Sequence, residues 1–273
     1  MKIISSKLKS SDGITILEVL VAMALTAVVT LAIFHVYLTQ HKQYLVQDDI
    51  SEIQQNVRAS VDELTRHVRM AGYDLPTGMP CILAANSNPD TITIRYRNND
   101  CDTYLAAAMP QTSVELKCAT DLSCFHDGDW VYIFEPDSGG GEWFQITQVQ
   151  YASQHLQHNT MTLSEPYGKD AIITMLHEIV FYIDNTTDPE HPKLMVRLPG
   201  KSPYIFADNI TDLQFQYRMK NDSLLNVPVL TENIREVLIS VSGRSNQPDP
   251  DFPDSPYRVR SFATAVHLRN NEG

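Results

Sequence analysis

Nine histidines, four cysteines and 33 acidic side chains offer ample material for chemistry, but most of it is spaced for none. His35 and His41 lie six apart, which does not put both on one helical face. His155 and His158 fall in a polar stretch, and His177 next to Glu178 would point away from it in a strand. There is no H-E-x-x-H and no compact Cys/His set, so no metal centre is expected. Asp249, Asp251 and Asp254 match calcium ligands in number, yet prolines interrupt them and the EF-hand pattern is missing. A solvated acidic loop is the expectation there. Ser138 before Gly139, Gly140 and Gly141 has neither the G-x-S-x-G elbow nor the Lys-Ser/Thr of a phosphate loop. No carboxylate pair stands out as an acid/base couple, so the expectation is no enzyme and no cofactor. One residue is conspicuous by its surroundings: Glu18 is the only ionisable side chain between Ile14 and Phe34.

That run, ITILEVLVAMALTAVVTLAIF, would span about 31 Å as a helix, close to the roughly 30 Å core of a bilayer. Apolar surroundings force its backbone to bond internally, which a lone segment achieves only as a helix. Lys2, Lys7 and Lys9 precede it, while Asp48, Asp49 and Glu52 are the first acids after it. The basic side is therefore expected to stay in the cytoplasm and the remainder to be exported. Ala22-Met23-Ala24 imitates a signal-peptidase box but sits in the middle of the apolar run. A simple anchor would explain the length and leave Glu18 without a purpose.

Gly13 and Glu18 together carry a resemblance. G-I-T-I-L-E-V-L-V-A-M-A is similar to the processing site of type IV prepilins. The resemblance implies cleavage by prepilin peptidase between Gly13 and Ile14, then methylation of the new amino terminus at Ile14. Ile14 departs from the usual Phe. The same resemblance places the family's assembly glutamate on Glu18, facing the positive amino terminus of a neighbouring subunit. Each charge is costly in hydrocarbon and compensates the other.

Residues 35–71 contain neither Pro nor Gly, so the helix is expected to continue. Ile50, Ile53, Val57, Val61, Leu64 and Val68 then form one apolar stripe, expected to pack on the chain's own globular part, with Gly72 and Pro76 as stop signals. E52-I-Q-Q-N-V-R58 and R66-H-V-R-M-A-G-Y-D-L-P76 are similar to the PilW group of minor pilins, as is R258-V-R-S-F-A-T-A-V-H-L-R-N270. Within that resemblance Gly72 turns the chain and Tyr73 seats against the domain.

From residue 77 the period becomes that of strands. Thr91–Arg97 alternates strictly, and residues 129–135 and 143–150 flank a glycine-rich connection that reads as a hairpin. Further strands are expected at 160–163, 171–184, 193–198, 210–219, 234–242 and 258–268, in nine to eleven mainly antiparallel strands. Trp130, Tyr132 and Trp143 read as sheet packing. The expected fold is α+β and pilin-like. Its parts are a leader (1–13), a transmembrane half of the helix (14–34), an amphipathic half (35–76) and an exported head (77–273).

Without residues 1–13 the chain loses three Lys and one Asp, leaving 18 basic and 32 acidic side chains and a net charge of −14. Direct binding of nucleic acid is not expected of so acidic a chain. Cys81, Cys101, Cys118 and Cys124 all lie on the exported side, where disulfides are expected. Three pairings are open; the preferred one joins Cys118 to Cys124 in a short loop and Cys81 to Cys101.

The function implied by the resemblance is that of a structural minor pilin in type IV pilus assembly and priming. Its partners would be other minor pilins, the major pilin, prepilin peptidase, the inner-membrane assembly platform and the lipid bilayer. It would sit as a single-pass inner-membrane protein with a periplasmic head, then in the pilus, with its tip as one location. The competing readings are a J-type pseudopilin of type II secretion and an adhesin or binding module displayed on the membrane or filament.

Overall fold

The computed structural model describes residues 13–75, 79–97, 101–110, 113–136, 141–159, 161–228, 230–249 and 257–271. Residues 1–12 of the leader, Pro76, Ser138, Gly139, Gly140, Thr160, Asp251 and Asp254 lie outside them. The chain divides into two compact units, Met1–Asp49 and Ile50–Gly273.

Helix α1 (Ile16–Met70) runs 55 residues without a break, as the absence of Pro and Gly requires. Its first half is apolar all round and exposed. In its second half Ile53, Val57, Val61, Leu64 and Val68 are buried to 3% exposure or less. Burial of each contributes about 1.5–3 kcal/mol. The helix stops where Gly72 enters the left-handed region at φ 79°, which a residue without Cβ occupies freely.

Strands follow in chain order: β1 (Ile82–Ala85), β2 (Thr91–Tyr96), β3 (Asp102–Tyr104), β4 (Glu115–Lys117), β5 (Trp130–Phe134), β6 (Gly141–Gln145), β7 (Gln148–Gln150) and β8 (His155–Gln157). Then come β9 (Ile172–Thr174), β10 (His177–Asp184), β11 (Lys193–Arg197), β12 (Tyr204–Asp208), β13 (Ile210–Met219), β14 (Leu224–Leu225), β15 (Ile234–Arg244) and β16 (Val259–His267). Every pairing is antiparallel. The fold is α+β: one long amino-terminal helix followed by antiparallel sheets.

The order β1-β2-β10-β11-β12 makes the first sheet, and β14-β13-β15-β16 the carboxy-terminal one. Both supply the core that the helix stripe enters, through Ile92, Ile94, Phe181 and Leu194 on one side and Leu213, Phe215, Tyr217 and Val241 on the other. Strands β3 to β9 are an insertion, because β2 and β10 on either side of it are hydrogen-bonded neighbours. The insertion folds as β3-β9-β5-β6 and β4-β8-β7 around a second core of Leu105, Leu116, Phe125, Val131, Phe144 and Ile173.

Three sequence expectations need correction. The run 160–163 is not a strand over Met161–Leu163: His158 Nδ1 meets the Met161 carbonyl at 2.7 Å, which turns the chain, and Leu163 is buried without pairing. The pairing strand is β8, just before it, between β4 and β7. The runs 143–150 and 171–184 are each two strands that serve different sheets, broken at 146–147 and 175–176. The hairpin expectation holds, with Phe134 opposite Gly141 across the 137–140 connection.

Candidate assembly segment and helix exit

The amino-terminal segment is built by local rules. Thr15 Oγ1 accepts the backbone N–H of Glu18 at 3.2 Å, so Thr15 is the N-cap of α1 and Glu18 stands at its third position. T-x-x-E at the start of a helix is the capping-box pattern, and a carboxylate in the first turn also faces the positive end of the helix dipole. Sequence reading assigned Glu18 a role in trans and passed over this local one, although Thr15-Ile16-Leu17-Glu18 was the signal. Gly13 has nothing within 4 Å of where a Cβ would sit, and Ile14 is 76% exposed. Both residues of this peptide bond are thus exposed among the described residues.

Steps of four put Glu18, Ala22, Thr26 and Thr30 on one face. Thr26 and Thr30 satisfy their hydroxyls on the carbonyls of Ala22 and Thr26, at 2.7 and 2.8 Å. That leaves a face of small side chains with one carboxylate at its end, a surface on which a second helix can pack closely. The helix is long and apolar enough to cross a membrane, and its most apolar window is unburied within the chain.

The helix exit is a polar clasp. Gly72 N–H donates to the Arg95 carbonyl at 3.0 Å, and Arg97 N–H donates to the Tyr73 carbonyl at 2.8 Å. Arg97 reaches Asp74 and Asp102, each at 3.0 Å. Burial works against the Arg97 charge, but the two carboxylates outweigh it and raise its pKa. Asn270 donates to the Ala71 carbonyl at 3.1 Å, so the segment after β16 closes on the end of the helix. The expectation that the Tyr73 ring seats against the domain is not met: the residue is 53% exposed, and its backbone carbonyl makes the hydrogen bond.

One turn earlier, His67 is buried between Glu63 and Tyr96. Its Nε2 lies 3.0 Å from Glu63 Oε1, and its Nδ1 lies 3.2 Å from the Tyr96 hydroxyl. Burial lowers the His67 pKa against the opposing pull of Glu63. At neutral pH the imidazole is therefore uncharged, with Nε2–H donating to Glu63 and Nδ1 accepting from Tyr96.

Arg95 joins the first sheet to the insertion. Its Nε donates to Glu178 at 2.7 Å, its guanidinium stacks 4.7 Å from the Tyr132 ring centre, and Trp143 Nε1 donates to the same Glu178 at 3.1 Å. A cation in the TITIRYR alternation reads as a solvent-facing residue, and only the insertion, absent from that pattern, buries it.

Cys101 and Cys124 form a disulfide, with Cα atoms 5.8 Å apart. This corrects the preferred pairing. Cys81 belongs to the first core and Cys101 to the second, and Cys118 is buried in the second core with its Sγ 3.7 Å from the Leu116 carbonyl. Nearness in sequence between Cys118 and Cys124 does not make them a pair. Cys81 and Cys118 lie outside the bond as buried thiols. Burial pushes the Cys118 pKa up to about 12.

Among the described residues no three His, Cys, Asp or Glu side chains are grouped to hold a metal ion. Asp249 is 5% exposed and bonded by Arg258 at 2.8 Å, rather than solvated in an acidic loop. Tyr132 is buried at 4% exposure and packs edge-on against Trp143, as expected of sheet aromatics.

No protein-family model matches the chain, and no curated protein matches it by sequence. Among solved structures, a type IV-like pilin from Thermus thermophilus is similar over 82% of this chain and 97% of its own, at 9% identity and a TM-score of 0.36. A likeness that loose says nothing of function.

Proposed function

We propose that this chain is a minor pilin acting in the assembly and priming of a type IV pilus, structural rather than enzymatic. The observation that carries the reading is the start of α1. An exposed apolar helix long enough to span a bilayer carries a single carboxylate in its first turn, shortly after the exposed pair Gly13 and Ile14. In this reading prepilin peptidase cuts after Gly13 and methylates Ile14. The helix holds the subunit in the inner membrane with its carboxy-terminal part in the periplasm, and Glu18 then meets the amino terminus of a neighbouring pilin as the filament forms. Its partners are other minor pilins, the major pilin and the assembly platform.

Mass spectrometry of the amino-terminal peptide from membranes tests the processing step. A methylated peptide beginning at Ile14 is expected, and an uncut chain or a start near Leu25 overturns the reading. Glu18 needs two variants, because its position also matches a capping box. Glu18→Gln keeps a capping-box side chain and removes the charge, whereas Glu18→Leu removes both. Both are expected to be cut and inserted, since a carboxylate at this depth costs up to about 2–3 kcal/mol on insertion scales. Both are expected to lose stalk crosslinks to partner pilins and to lose surface pili. Wild-type piliation in Glu18→Gln would reduce Glu18 to a cap.

A further inference from the structure

Strand β16 is where the carboxy-terminal sheet stops. It pairs with β15 through nine residues, and among the described residues no strand lies on its other side. Leu268 N–H donates to the Arg235 carbonyl at 3.1 Å, and Ser245 N–H donates to the Arg258 carbonyl at 2.8 Å. In an antiparallel ladder that parity turns the backbone groups of Arg260, Phe262, Thr264 and Val266 toward β15. Those of Val259, Ser261, Ala263, Ala265 and His267 point outward, the Val259 carbonyl already accepting from Arg260 Nη1 at 2.9 Å.

Sheet edges are ordinarily blunted by Pro, by bulges, by shortness or by inward charges. β16 is nine residues long, contains neither Pro nor Gly, and keeps register with β15 without a shift, whereas β11–β12 and β13–β15 both slip. Its outer face carries the small side chains Ser261, Ala263 and Ala265, which let another backbone approach. Phe262 stands opposite the fully buried Val241, yet it is 45% exposed, because among the described residues no strand flanks β16 on its far side.

We propose that the free edge of β16 receives an extended, acidic, strand-forming segment from another pilin-type subunit, added as a further strand of this sheet. The proposal rests on the subunit reading above. Donors and acceptors recurring at every second residue are matched only by an extended main chain, so the occupant is a peptide segment. Its charge follows from Arg260 and from Arg269 two residues beyond the strand, both exposed at this margin of a chain whose net charge is −12. Its apolar residue follows from Phe262. The β16 of a second copy fits less well, because a two-fold pairing about Ala263 sets Arg260 against Val266 and offers it no carboxylate.

The test is photocrosslinking in cells that make the full chain together with their other pilus subunits. A benzophenone amino acid replaces Ala265 at the edge or Ser240 one strand inward. Crosslinked peptides are identified by mass spectrometry, and the amino terminus is sequenced from the same sample. The expected result is an Ala265 crosslink to an acidic strand-forming segment of another pilin-type subunit, with Ser240 giving at least tenfold less. Ala263→Pro removes an N–H that points outward and leaves the β15 ladder whole, so it is expected to cut the product at least tenfold. Where Ala263→Pro lowers the amount of folded chain, Ser261→Lys carries the same readout, since it keeps every N–H and adds bulk and charge. A product of twice this chain's mass, an equal yield from Ser240, an unchanged yield in both variants, or no product from a correctly cut chain each overturns the proposal. An uncut chain overturns the subunit reading instead.

Discussion

The two halves of α1 solve opposite problems with one backbone. Between Ile16 and Leu45 large apolar side chains face outward on every side, from Ile16 at 82% exposure to Leu45 at 51%. Between Ile53 and Val68 large apolar side chains recur only at helical spacing, and each is buried. A stripe one face wide can be covered by the chain's own sheets. A surface that is apolar all round is far larger than soluble proteins expose and must find its cover in lipid or in other helices. Periodicity, more than hydrophobicity, decides which half is completed inside the chain.

The sharpest way to break this contrast is to place one carboxylate in each half. Leu64 is fully buried, so Leu64→Asp is expected to cost more than about 4 kcal/mol and abolish cooperative melting of the detergent-solubilised chain. Leu25 is 62% exposed, and Leu25→Asp should leave that melting transition in place while lowering membrane insertion. Equal unfolding by both would end the distinction. The next effect concerns how far the helix-anchored core stands apart from the insertion. Replacing Cys101 and Cys124 by Ser removes a cross-link over 23 residues and should destabilise the insertion by about 3 kcal/mol. Amide exchange around Leu64 should change far less than exchange around Phe144. In the unaltered chain, denaturation without reductant should expose two thiols, those of Cys81 and Cys118.

A smaller cost, about 1–3 kcal/mol, is expected for Gly200→Ala. Gly200 sits at φ 65°, and a Cβ there would run into the Trp130 indole. Its melting shift should appear with the α1 stripe intact. Smallest is the response to acid. Burial holds the His67 pKa below its ordinary value of 6.5, with Glu63 opposing, and Arg66, Tyr96 and His177 complete the groups that face or surround it. The unfolded chain therefore takes up the proton first, and stability present above about pH 6.5 is lost as pH falls below it. Melting temperatures from pH 7.5 to 5.5 should drift down, and His67→Gln should flatten that slope.

What was readable in the chain follows the same line. The stripe from Ile53 to Val68, the stop at Gly72 and the long strands β2, β10, β13, β15 and β16 all advertise themselves by period. β3, β4, β7 and β8 are three residues each, too short for alternation to register, and β14 is two. Arg95 was hidden for another reason: its burial is created by an insertion whose own residues say nothing of where it folds back. The cysteine pairing was hidden likewise, because membership of one core or the other is a property of the topology. At the amino terminus the capping pattern of Thr15 and Glu18 was open to inspection and overlooked in favour of a longer-range role.

The clasp between Asn270 and Ala71 bears on the order of events as the chain is made. The core that holds α1 collects residues from Ile53 to Leu268, and the hydrogen bond that closes it waits for Asn270. Contacts of such separation form slowly, since the entropy of closing the loop is lost before any packing rewards it. The insertion differs: its core runs only from Cys101 to Ala171 and Ile173, and all its strands are in hand while β10 to β16 are still to come. Ribosomal synthesis thus delivers a finished insertion early and leaves one side of the helix stripe uncovered until β13, β15 and β16 arrive.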